Sequence, residues 1–60
     1  MTATSLNAWR ERLGLNKSEA ALRLGLARNT YAAYEEGRAE IPLYVALACA
    51  AIAYGLPPMQ

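Results

Sequence analysis

A chain of 60 residues holds one domain at most, near the lower limit for a core that stands without metal or disulfide, because it buries only roughly 60% of its unfolded surface. A hydrophobic share of 55%, much of it alanine, excludes disorder and favours helices at close quarters, while one cysteine and no histidine exclude an internal disulfide and leave no Cys/His zinc site. The net charge of +1 lacks the strong basic balance that alone marks a nucleic-acid binder.

The distribution of charge says more than its sum. Every charged residue lies between Arg10 and Glu40, and the last twenty residues carry none. The uncharged run Leu43 to Leu56 is nevertheless shorter than the roughly 20 apolar residues that span a bilayer, is rich in alanine and ends at Gly55 and Pro57-Pro58, which argues against a membrane helix. No basic-then-apolar pattern precedes Trp9, so a signal peptide is unsupported and a cytoplasmic setting is expected.

In chain order, Ser5 or Thr4 is placed to cap a first helix whose Leu6, Trp9 and Leu13 form an inward stripe, and Gly14 stops it. Asn16 opens a second helix with Glu19 three residues on, a capping-box spacing, and Leu15 with Ala20 stands where a hydrophobic staple closes. That helix ends at Gly25, with Ala20, Ala21 and Leu24 inward. The two alanines are small enough to admit another helix.

A third helix follows after a short turn, roughly Arg28 to Glu36. At about 100° per residue, Arg28, Asn29, Ala32, Ala33 and Glu36 share an outer arc of about 140°, while Thr30, Tyr31, Tyr34 and Glu35 fill the other side. A face needed only for solubility carries long charged side chains; this one has two alanines at its centre, as if another molecule comes close. Gly37 closes the helix. Pro42 suits the first turn of a fourth helix running to about Tyr54, with Gly55 beyond it. This helix has two apolar stripes, Leu43/Leu47/Ala50/Tyr54 and Val45/Ala48/Cys49/Ile52, and is apolar nearly all round. Its own chain is too small to cover both, so a homodimer is expected, with Val45, Cys49 and Ile52 as the candidate interface and the choice between the two stripes left open. No run alternates cleanly enough for a strand, so the fold class is all-α: a compact domain of four or five helices over residues 1–60.

Two short helices joined by a tight glycine turn, the second with a small polar outer face, form a helix-turn-helix pattern, here over about residues 16–37. From Leu15 to Arg38, LNKSEAALRLGLARNTYAAYEEGR resembles the corresponding segment of Xre/Cro-type phage and bacterial repressors, the lambda-repressor-like family, usually L-T-Q-x-x-L-A-x-x-L-G-V-S-x-x-T-I-S-x-W-E-x-G. Leu15, Ala21, Leu24, Gly25, Thr30, Glu35 and Gly37 match; Leu26, Tyr31 and Tyr34 substitute apolar or aromatic residues. Ala27 departs from the family's serine cap, Lys17 from its glutamine, and Glu36 from a common asparagine.

The resemblance implies a domain whose third helix enters the major groove of a double-stranded DNA operator. Carried over by position, Arg28, Asn29, Ala32 and Ala33 are the candidate base readers: arginine for guanine, asparagine for adenine, alanine for the thymine methyl. Lys17, Thr30 and Arg38 are the candidate phosphate contacts. Arg10 and Glu35 match positions that form an internal ion pair in the family. Glu36 is left open, since it either accepts from a cytosine amino group or repels phosphate. The implied function is a transcriptional repressor that binds an inverted repeat as a homodimer and lies on the nucleoid when bound. The alternative is a protein-interaction module, antitoxin- or inhibitor-like, that keeps the same core without reading DNA. An enzyme is not expected: with no histidine, a lone Cys49 in mid-helix, no phosphate loop and no paired carboxylates, no nucleophile and base can be assigned. Nor is any cofactor, metal or small-molecule ligand expected.

Overall fold

The computed structural model describes residues 1–59 and places four helices in them: α1 (Ala3–Arg12), α2 (Lys17–Leu24), α3 (Arg28–Glu35) and α4 (Leu43–Ala53). Helix α1 starts earlier than expected. Its cap is Thr2, not Thr4 or Ser5, because Thr2 and Ser5 form a reciprocal capping box: the Ser5 amide donates to Thr2 Oγ1 at 3.1 Å and the Thr2 amide to Ser5 Oγ at 2.9 Å. That arrangement satisfies two terminal amides, whereas a cap at Thr4 satisfies one. Helix α2 opens as its sequence predicts, with the Asn16 amide donating to Glu19 Oε1 at 2.9 Å and the Glu19 amide to Asn16 Oδ1 at 2.8 Å. Neither α3, which begins after Ala27, nor α4, which begins after Pro42, has a side-chain cap.

Helix α3 lies against α1 and α2, and α4 against α2. The buried core comprises Leu6 and Trp9 of α1, Ala20 and Ala21 of α2, Tyr31 and Tyr34 of α3, and Val45 and Cys49 of α4. Alanine at 20 and 21 leaves the room that the two tyrosines fill, so the small and large members of the core interdigitate. Leu13, Leu15, Leu24, Leu26, Ile41 and Ile52 ring this cluster half-buried. Trp9 also ties the first helix to the last: its indole N–H donates to the Cys49 carbonyl at 2.9 Å inside the core. A buried indole without such an acceptor costs free energy, which fixes how α4 is set against α1.

The rotation of α4 corrects one expectation. Val45 and Cys49 are 1% and 2% exposed and close the chain's own core, so they do not face a second copy, and Ile52 is half-buried beside them. The stripe left outside is the other one, with Leu43, Leu47 and Tyr54 exposed by 74%, 62% and 83%. Among the described residues no helix is long and apolar enough to cross a membrane.

Candidate nucleic-acid interface

The link between α2 and α3 is three residues long and held by backbone bonds. Gly25 takes φ 70°, a left-handed conformation that favours glycine, and from it the Gly25 amide donates to the Leu22 carbonyl at 3.1 Å and the Leu26 amide to the Ala21 carbonyl at 2.9 Å. Leu26 is half-buried against the core, so the turn has little freedom. Ala27 then enters α3 in extended conformation, φ −64° and ψ 144°.

What sets the roll of α3 about its own axis is a buried carboxylate. Glu35, with its side chain 2% exposed, accepts from Arg10 Nε at 2.7 Å and from the Tyr31 hydroxyl one turn earlier on its own helix. The rest of the Arg10 guanidinium donates to the Leu15 carbonyl and to Asn7 Oδ1, each at 3.2 Å. A charge so enclosed is tolerable only with its partners in place. Burial pushes the Glu35 carboxyl up, but hydrogen bonds from Arg10 and Tyr31 with the arginine charge outweigh it and hold the group below its ordinary value. The hydrogen bond to Glu35 raises Arg10 against the opposing effect of burial. Burial first, and then the bond to Glu35, raises Tyr31, so the phenol stays a donor.

With Tyr31, Tyr34 and Glu35 turned inward, Arg28 and Asn29 stand exposed on the opposite face with Glu36 at its end. Ala32 and Ala33 are half-buried between them rather than fully outward. Beyond the helix the chain folds back at Gly37, and the Arg38 amide reaches the Ala33 carbonyl at 2.9 Å. Thr30, assigned by the wheel to the inner side, is exposed, since it lies at the margin of the arc that Tyr31, Tyr34 and Glu35 bury. Lys17 is exposed at the start of α2, and among the described residues neither it nor Arg28 is in an ion pair. Arg38 is: its Nε donates to Glu36 Oε1 at 2.7 Å. Sequence spacing gave no sign of that pair, because positions two apart do not share a helix face; the turn at Gly37 is what brings them together. The Tyr31–Glu35 bond, four residues apart on one helix, had a signal that was readable.

A tight glycine turn between α2 and α3, with the second helix pinned from behind and open in front, defines a helix-turn-helix domain. The family model described as Helix-turn-helix matches residues 6–53, from the middle of the first helix to the end of the last, and the chain belongs to that Xre- and lambda-repressor-like family. The family is one of DNA-binding regulators. Neither the curated proteins nor the solved structures contain a significant match to the chain.

Proposed function

We propose that the chain is a sequence-specific transcriptional repressor, a single 60-residue domain that binds an inverted-repeat operator as a homodimer with α3 in the major groove. The observation that carries this reading is the exposed face of α3, held in one orientation by the buried Glu35 and Tyr31 with the half-buried Arg10. Arg28 and Asn29 supply hydrogen bonds to base edges, and the alanines at 32 and 33 keep the face low enough to sit in the groove and meet thymine methyls. Lys17, Thr30 and Arg38 lie around that face as phosphate contacts. The partner is duplex DNA together with a second copy of the chain; catalysis, cofactor and small-molecule ligand have no part, and the site of action is the cytoplasmic nucleoid.

Binding-site selection from random duplex DNA at moderate salt, with the wild type beside Arg28→Ala, tests this. The expected result is an inverted repeat bound by the wild type and lost or relaxed at one position by the variant, whose missing bidentate contact costs about 1–3 kcal/mol. No enrichment by a folded wild type overturns it. A second reading, a protein-interaction module, draws on the low net charge and the exposed Leu43, Leu47 and Tyr54. It predicts no DNA affinity that falls as salt rises, which a repressor must show.

A further inference from the structure

Glu36 is the anion of the α3 outer face, and by charge alone it repels a phosphate backbone. The structure gives it a partner. Arg38 Nε donates to Glu36 Oε1 at 2.7 Å, and the root of that arginine is fixed: Gly37 turns with φ 76°, and the Gly37 and Arg38 amides donate back to the Tyr34 and Ala33 carbonyls at 3.3 and 2.9 Å. The guanidinium is a rigid fork of five N–H donors, so a carboxylate that occupies Nε leaves both terminal amino groups free. Those groups stand beside the reading helix with the two side chains 62% and 49% exposed. So open a pair contributes little to folding, and its worth is in aim.

We infer that Glu36 is a positioning residue for DNA binding: its carboxylate holds the Arg38 guanidinium against the end of α3, so that the free amino edge meets a DNA phosphate. The inference rests on the DNA-binding reading above and assigns the face's one anion a favourable role. Its signature is a sign. On charge alone, Glu36→Gln strengthens binding to any DNA; if the carboxylate aims Arg38, the same substitution weakens it.

The test measures affinity and its salt dependence for the wild type, E36Q, R38Q and E36Q/R38Q, on the duplex recovered by selection and on a mixed-sequence duplex of equal length. Circular dichroism confirms that each variant is folded, as the exposure of both side chains leads one to expect. R38Q is expected to flatten the slope of log K against log salt by about 1 per subunit. E36Q is expected to bind about threefold more weakly than the wild type with a flatter slope. In the R38Q chain, where no guanidinium is left to aim, adding E36Q strengthens binding. Tighter binding on E36Q in both backgrounds, with a steeper slope, overturns the positioning role while leaving the repressor reading intact. A folded wild type that binds neither duplex overturns the repressor reading and this inference with it.

Discussion

At the scale of single residues, Glu35 concentrates the chemistry that holds α3 in place. Its folded pKa lies below the ordinary 4.5, so folding is favoured by its ionised form; that stability is fully present above about pH 4.5 and is lost as pH falls through the folded value. Tyr31 and Cys49 act in the opposite range. Burial raises both, Cys49 from an ordinary 9.0 to about 11 and Tyr31 above its ordinary 10.0, so the folded state keeps them neutral where the unfolded chain ionises. Their contribution is present below about pH 9 and falls as pH rises beyond it. The urea midpoint is therefore expected to be flat between about pH 5 and 9 and to decline on both sides. Glu35→Gln, which leaves Arg10 without its counter-charge, lowers stability at neutral pH by about 3 kcal/mol, and its deficit against the wild type shrinks as pH drops below 4.5. A deficit that stays constant down to pH 3 contradicts the role given to this carboxylate.

At the scale of elements, the helices divide into two with capping boxes, α1 and α2, and two without side-chain caps, α3 and α4. Ala27 already has the extended backbone of a cap and lacks only the oxygen. Ala27→Ser supplies it, and is expected to add about 1 kcal/mol, or roughly 4–8 °C in the melting midpoint for a domain this small; an unchanged midpoint means that the first turn of α3 is satisfied in another way. These local signals also explain what was legible beforehand. Gly14, Gly25, Gly37 and Gly55 each follow a helix and each has positive φ, so all four helix ends were readable from the sequence, as were the Asn16–Glu19 box and the inward tyrosines. The start of α1 was less so, because Thr2, Thr4 and Ser5 all suit a cap and only the pairing chooses among them. The roll of α4 was not readable at all. A helix apolar on nearly every side has no phase in its own sequence, and what sets it is remote: contact with α2 and the bond from Trp9 to the Cys49 carbonyl, forty residues apart.

At the scale of the whole molecule, that roll decides which surface is left for a second copy in the proposed homodimer. The domain exposes 4277 Å² and measures 31 × 21 × 18 Å; the proposed dimer has to set its two α3 helices about one DNA turn, roughly 34 Å, apart. A stable interface removes about 800 Å² from each partner, roughly a fifth of this surface. Leu43, Leu47 and Tyr54 lie on one stripe of an uncharged helix, with Leu56 exposed just beyond it, and are the natural centre of such a contact. Dimerisation couples to folding by mass action, so the wild-type melting midpoint is expected to rise with protein concentration. Leu47→Glu separates interface from core. Because Leu47 is 62% exposed in the single chain, the variant keeps its helical signal, sediments as a monomer, melts independently of concentration and loses tight binding to an inverted repeat while retaining weak binding to a half-site. Val45→Glu, by contrast, drives a charge into the core and is expected to unfold the chain. A wild type that sediments as a monomer at hundreds of micromolar, with a melting midpoint indifferent to concentration, removes the dimer, and operator binding must then come from a single reading helix with the affinity of one half-site.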